Sequence, residues 1–349
     1  MRKYVILAEG NFTPHSAKTA LGVLRFAKDE TVAVIDSEKA GQDVSSALHI
    51  ADIGNGIPVV SSIDEAFAYK PTSLLIGIAP IGGKLPESWQ PILLRALELG
   101  LEIVSGLHFF LNDDPELTAA AQKYGSAIWD VRKPQPQYAM RIGQGKSHRK
   151  GSNTIFMAGS DCNVGKMTAA LVMEQTARQR GHNTAFAATG QTGIMIAGEG
   201  VPTDRIISDF VNGAVEWLLL DLTNSHDWVF VEGQGSLCHP AYSAVTMGLL
   251  HGARPDMQIL CHEANRGFIY DYPAFPIPPL KELIIMYETA ARWLKPAPIV
   301  GVSLNTFSLS EDEARTAIEK ATAETGLPVT DPVRFGADAL INAIEIAAK

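Results

Sequence analysis

The sequence predicts an α/β protein built from two parallel-sheet domains. Three observations carry that expectation. The chain has 349 residues, enough for about two domains at the usual ~150 residues each. Apolar runs of strand length alternate with helix-patterned stretches, the order expected of a parallel sheet covered on both faces. A segment rich in proline, glycine and basic residues, from Arg132 to Asn153, cuts the alternation in two.

In the first half, Tyr4–Ala8, Thr31–Ile35, Ser73–Ala79 and Glu102–Val104 read as strands. Ser16–Ala27, Ile63–Tyr69, Pro86–Leu99 and Asp114–Tyr124 read as the helices between them, the last starting on Asp113-Asp114-Pro115 with its proline near the first turn. Glu9-Gly10-Asn11 ends the first strand and Ala79-Pro80-Ile81-Gly82-Gly83 ends a later one, at the sheet edge where open α/β sheets bind ligands. The full G-x-G-x-x-G fingerprint is missing after the first strand, so a nicotinamide dinucleotide site has little support, although Asp36 stands where ribose-binding acids occur. This domain is expected to pack against the second and shape its cleft.

Lys133-Pro134-Gln135-Pro136, Gly143-Gln144-Gly145-Lys146 and His148-Arg149-Lys150-Gly151-Ser152 follow. They read as a solvated linker rather than an anion site. The expected division is 1–140, a linker at 141–152, and 153–349.

The second half restarts with a strand at Thr154–Ala158, a glycine loop, and a helix to about Arg180. Further strands are expected at Thr184–Ala188, Trp228–Val231, Gln258–Cys261 and Ile299–Leu304. Helices are expected at Ser208–Leu220, Leu280–Leu294, Glu311–Glu324 and Ala337–Ala347. Gly190-Gln191-Thr192-Gly193 opens a glycine-rich stretch through Gly200, which reads either as a mobile lid or as a plain exposed loop. The aromatic and proline-rich run Tyr270–Pro279 cannot be a regular helix.

The most informative stretch is Gly159-Ser160-Asp161-Cys162-Asn163-Val164-Gly165-Lys166-Met167-Thr168, placed between a strand and a helix. Glycines let backbone N–H groups turn inward, the helix N-terminus adds partial positive charge, and Lys166 adds a full one. That combination cradles phosphates. The strict G-x-x-x-x-G-K-[ST] pattern is broken twice: Ser160 holds the first glycine position and Met167 the position of the magnesium-holding hydroxyl. Gly159 and Thr168 each stand one place outside. The expected architecture is therefore an N-terminal Rossmann-like parallel-sheet domain and a C-terminal P-loop NTPase-like α/β domain. A second element, Asp227-Trp228-Val229-Phe230-Val231-Glu232-Gly233-Gln234-Gly235-Ser236, delivers the carboxylate of Glu232 at the end of an apolar strand. There it either meets a ligand or caps a neighbouring helix.

Composition narrows the function classes. Net charge is −9, from 29 basic and 38 acidic residues, and no basic patch suggests nucleic acid. No apolar stretch approaches the ~20 residues of a membrane span, and the run after Met1-Arg2-Lys3 is too short for a secretory signal. Three widely spaced cysteines, Cys162, Cys238 and Cys261, an odd number, speak against a disulfide framework, and a reducing cytoplasm is the expected location. The expected partner is a small-molecule substrate, with no nucleic acid and no membrane, in a homo-oligomer.

The loop Gly159–Lys166 with Val231-Glu232-Gly233 resembles dethiobiotin synthetase and its P-loop relatives. In those the loop holds ATP phosphates and the strand-end Glu helps bind magnesium. A resemblance along nearly the whole chain is to a bacterial and archaeal family once classed only as a domain of unknown function, now associated with D-glutamate N-acetyltransferase. It is carried by Lys18-Thr19-Ala20-Leu21-Gly22-Val23-Leu24-Arg25 with Val32-Ala33-Val34-Ile35-Asp36-Ser37, and by Gly159–Thr168. Asp204-Arg205-Ile206-Ile207-Ser208-Asp209-Phe210 and Val231–Leu237 with His239-Pro240 complete it. The resemblance implies acetyl transfer from acetyl-CoA to an acidic amino acid. The alternatives are an ATP- and magnesium-dependent ligase or kinase, and a non-catalytic nucleotide sensor.

Acetyl-CoA carries a pyrophosphate and a 3′-phosphate that the loop Gly159–Thr168 could hold without hydrolysis. Transfer to an amine needs a general base, for which Glu232 and His239 are the candidates, and donors for the oxyanion, for which Lys166 or the Gly233–Ser236 N–H groups are. Expected substrate contacts are Gln191, Arg205, Asp209, Gly233 and Gln234, with arginine suited to a carboxylate. No metal is expected for acetyl transfer; in the ATP reading Thr168 and Glu232 would hold magnesium. Cys162 is either an acyl carrier activated by the helix N-terminus or a small residue filling the loop. Zinc at the Cys238-His239 and Cys261-His262 pairs lacks the usual ligand spacing.

Overall fold

The computed structural model describes residues 1–51, 53–78, 85–146 and 148–349. Met1–Lys133 with Gln191–Glu199 forms one compact unit, and Pro134–Gly190 with Gly200–Lys349 forms the other.

In the first unit six strands lie in the order β3-β2-β1-β4-β5-β6. They are β1 (Lys3–Leu7), β2 (Glu30–Ile35), β3 (Val59–Val60), β4 (Ser73–Ile76), β5 (Glu102–Ser105) and β6 (Ile128–Asp130). All neighbours pair in parallel, and this order is that of a doubly wound Rossmann-like sheet. Tyr4 to Leu7 and Leu74 to Ile76 are buried without a break, as a strand covered on both faces requires. Asp36 is buried and accepts from the N–H groups of Phe12, Glu38 and Lys39, so this acid is spent on its own turn. The Ala79–Gly83 turn expected at the sheet edge lies outside the described residues.

Most of the segment read as a lid or an exposed loop is a helix rather than a loop. Gln191–Ala197 is a helix whose Gly193, Ile194, Met195 and Ile196 are buried in the first unit. It packs beside the helix Lys18–Phe26, where Thr19 Oγ1 and Thr192 Oγ1 lie 3.2 Å apart. Its apolar run outweighs the flanking glycines that suggested a loop.

The second unit carries another all-parallel sheet, ordered β14-β13-β10-β7-β9-β8. Its strands are β7 (Asn153–Gly159), β8 (Thr184–Ala187), β9 (Trp228–Val231), β10 (Met257–Glu263), β13 (Ile299–Asn305) and β14 (Val329–Thr330). Alternation divides the side chains of β7 between the two faces. Ile155 and Met157 pack with Ala169, Met173, Leu340 and Ile344 on one side. Phe156 and Ala158 pack with Val215, Leu219, Leu249 and Leu283 on the other. The aromatic and proline-rich run forms the antiparallel ribbon β11 (Phe268–Ile269) and β12 (Tyr272–Pro276).

Among its described residues the 141–152 segment has no helix or strand, yet it is fastened along the second unit. Glu216 accepts from the N–H groups of Gln144 and Lys146, and Arg149 donates to Thr223 O and Asp227.

Candidate active site

The sheet order builds the site. β7 is central, paired with β9 on one side through Phe156–Val231 and with β10 on the other through Gly159–Cys261. Whatever leaves the carboxyl end of β7 is therefore bracketed by the residues that follow β9 and β10. Gly159 to Gly165 leave β7 as the loop, and Lys166 opens the helix Lys166–Gln179. Asn163 and Gly165 adopt left-handed φ values of 57° and 95°, which turn the loop back over the helix start.

Lys166 does not reach outward. Its side chain is buried, and Nζ donates to Asp161 O at 2.6 Å. A methyl group on Gly159 would stand 2.9 Å from Nζ, and one on Gly233 would stand 3.1 Å from Cδ. The lysine thus runs between two glycines, one after β7 and one after β9. Burial pulls the ammonium below the usual lysine range, against nearby Cys162, Cys261, Asp161 and Glu232.

Glu232 is buried beside it. Burial pushes its carboxyl up to about 7, opposed by the N–H groups of Thr189 and Gly190, by the Gln234 amide and by Lys166. Oε2 accepts from Thr189 N–H at 2.9 Å and Gly190 N–H at 3.0 Å. Gln234 Nε2 donates to Thr189 Oγ1 at 3.1 Å. Gly233 fits only without a side chain, because a Cβ there would lie 1.8 Å from Met157 O of β7.

His239 reaches the loop from the turn after β9. Its Nδ1 accepts from Ala241 N–H at 3.1 Å, so the neutral ring carries its proton on Nε2, which lies 3.8 Å from Asp161 Oδ1. Tyr242 and Tyr272 flank the ring at centroid distances of 4.6 and 5.3 Å. In this orientation the neutral imidazole is a donor toward the loop rather than a base.

Asp161 was expected only as a loop residue. It is fully buried, Oδ2 paired with Arg266 at 3.1 Å and accepting from Tyr270 N–H, Oδ1 accepting from Cys162 N–H. Arg266 is engaged in this clamp and with Glu263. Tyr287, not singled out in the sequence, donates its hydroxyl to Gly159 O and accepts from Leu237 N–H, tying the two turns together. Ser160 Oγ lies 2.8 Å from His262 Nδ1.

The structure thus gathers Gly159–Lys166, Glu232, Gly233, Gln234 and His239 in the second unit. Met167 and Thr168 lie in the first turn of the following helix. Arg205 and Asp209 are exposed on successive short turns, Thr203–Arg205 and Ser208–Phe210. Gln191 lies in the first unit, where its Oε1 accepts from Arg132 Nε at 3.0 Å.

Residues 33–134 match a domain of unknown function described as a DUF1611 N-terminal, Rossmann-like domain, and residues 141–341 match its P-loop C-terminal counterpart. A D-glutamate N-acetyltransferase of Tritonibacter scottomollicae is 40% identical over 330 residues, 94% of each chain. One from a Pseudoalteromonas species is 37% identical over 80% of this chain and 83% of its own. The crystal structure of a DUF1611 protein from Anabaena variabilis superposes with a TM-score of 0.92 at 39% identity, covering 99% of this chain and 100% of that one. On sequence and fold alike, the chain belongs to the DUF1611 family.

Proposed function

We propose that this protein is an N-acetyltransferase that moves the acetyl group of acetyl-CoA to the amino group of an acidic amino acid, D-glutamate first among candidates. The carrying observation is that relatives of that name align over most of the chain.

The geometry adds a division of labour. The loop, the open helix start and Lys166 form a wall suited to an anion. Acetyl-CoA offers two kinds: its phosphates, and the oxyanion that develops on the thioester carbonyl. The long pantetheine arm separates them, so one loop serves one of them at a time. Glu232, a proton-transfer group, and the Nε2–H donor of His239 stand beside Lys166, and only the reacting end uses such groups. We therefore assign the wall to the thioester. Glu232, with its carboxyl near neutrality, takes the proton of the attacking amine. The Nε2–H of His239 faces the developing negative charge, with Lys166 buried behind the loop.

The ATP and magnesium alternative would call on Thr168 and Glu232 as ligands. In this structure Glu232 Oε2 instead accepts from two backbone N–H groups.

Thermal shifts with acetyl-CoA, CoA, ATP and ADP, each with and without magnesium, test the reading, because a ligand of the native state raises the melting temperature by mass action. A metal-independent rise with the CoA species, followed by chromatographic detection of N-acetyl-D-glutamate, is expected. A rise only with ATP and magnesium overturns it in favour of a ligase or kinase.

A further inference from the structure

The loop holds one group that the mechanism above leaves idle. Cys162 sits at its crown, half-buried, with Asp161 before it and His239 across from it. The thiol, a nitrogen of His239 and a carboxylate oxygen of Asp161 all lie within 4.8 Å of one another. Three such groups also suit a metal, but here Arg266 already pairs with Asp161 and the Lys166 ammonium stands beside the thiol. Arg266 thus already supplies the cation that Asp161 faces.

Geometry sets Cys162 apart from the other two cysteines. The Nε2–H of His239 is a donor whose direction is fixed by the Ala241 contact. The first turn of a fourteen-residue helix begins four residues on. The other two cysteines have different surroundings. Cys261 is fully buried, its thiol pushed up to about 12 by desolvation. Cys238 is raised in the same direction, its Sγ 3.4 Å from Ser160 O.

We propose that Cys162 carries the acetyl group from donor to acceptor, so that transfer proceeds by double displacement rather than by direct attack of the amine on acetyl-CoA. This rests on the acetyl-transfer reading above. In the first half, Cys162 Sγ attacks the carbonyl carbon, the bond from that carbon to the CoA sulfur breaks, and the proton lost by Cys162 ends on the CoA sulfur. CoA leaves as a thiol and a thioester remains on Cys162. In the second half the acceptor nitrogen attacks this thioester, its carbon–sulfur bond breaks, and the proton that Glu232 takes from the nitrogen returns to Cys162 Sγ. One thioester is exchanged for another and then for an amide, with no further reactant.

The test uses the full-length protein, acetyl-CoA and isotopically labelled CoA, without any amino acid. Double displacement exchanges label into acetyl-CoA under these conditions, and acid-quenched protein carries one acetyl group that peptide mapping places on Cys162. Cys162→Ala is expected to lose both signals and D-glutamate acetylation together, while Cys162→Ser, closer in size, checks that the loop still folds by its melting temperature. Formation of N-acetyl-D-glutamate without exchange and without the adduct overturns the relay and leaves the acetyltransferase reading standing. So does full turnover in Cys162→Ala. A wild-type protein that neither acetylates an amino acid nor exchanges CoA removes both.

Discussion

Replacing Glu232 by Gln separates what burial does to this carboxyl from what the carboxyl does in catalysis. Burial raises it from 4.5 to about 7. At ~1.4 kcal/mol per pH unit this corresponds to about 3 kcal/mol. Between these values the folded protein holds a proton that the unfolded chain releases, so stability falls as pH rises. The contribution is fully present below about 4.5 and gone above about 7. Glutamine has no such dependence. Denaturant unfolding of both proteins from about pH 4 to about pH 8 should therefore show the stability difference, variant minus wild type, growing by about 3 kcal/mol across the window. Histidines titrating in the same range cancel in this comparison. For activity, wild-type turnover should rise as pH passes through about 7, and the variant should lose on the order of 10²–10⁴-fold, the span of general-base contributions. A stability difference that stays flat with pH would refute the account of burial, and turnover that survives in Glu232→Gln would refute the role of base.

Three further substitutions probe the frame. Gly233→Ala places a methyl group 1.8 Å from Met157 O, which forces β9 from β7. A loss of about 1–3 kcal/mol or more is expected by urea unfolding, and an unchanged midpoint would contradict the packing. Arg266→Ala strips the buried Asp161 of its cation and should cost about 3–5 kcal/mol. Asp161→Asn in the same background should recover most of it, and a double-mutant cycle without coupling would show that the pair is not the clamp described. Glu216→Gln weakens the acceptor shared by Gln144 and Lys146, so amide exchange at those residues should quicken while the sheet stays protected. Unchanged exchange there would show that Glu216 does not hold the segment.

Most strands and helices were legible because parallel sheets with helices on both faces impose unbroken apolar runs, as in Tyr4–Leu7 and Trp228–Val231. The loop and Glu232 were legible for the same reason, being fixed to strand ends. Where reading failed, glycine misled. Ser243–Ala253 is a helix despite Gly248 and Gly252, which are needed because side chains there would meet Val211 and Asn212 at 2.9 and 2.6 Å. The two-residue strand Val59–Val60 and the three-residue strand Ile128–Asp130 are too short to carry a period of two. The convergence of Asp161, Cys162 and His239 leaves no local mark, since it depends on which strands are neighbours in the sheet. The Arg266–Asp161 pair, 105 positions apart, is equally invisible to spacing.

The departures of this loop from the nucleotide-binding pattern fit one physical reading. Inward N–H groups, a helix start and a lysine stabilise negative charge whether it sits on a phosphate or on a carbonyl oxygen in mid-reaction. What commits a nucleotide-binding loop to ATP chemistry is the metal-holding hydroxyl, and Met167 occupies its place. What acyl transfer needs in addition is a nucleophile, a hydrogen-bond donor and a group to move protons, and this loop carries Cys162, with His239 and Glu232 delivered by the adjacent turn. The buried Asp161–Arg266 pair then has a positional role. It holds the segment on which Cys162 rides, and loosening it should impair turnover more than the loss of stability alone accounts for. Comparing Arg266→Ala at a temperature where it remains fully folded tests this point: a kcat equal to wild type would leave the pair with no task beyond folding.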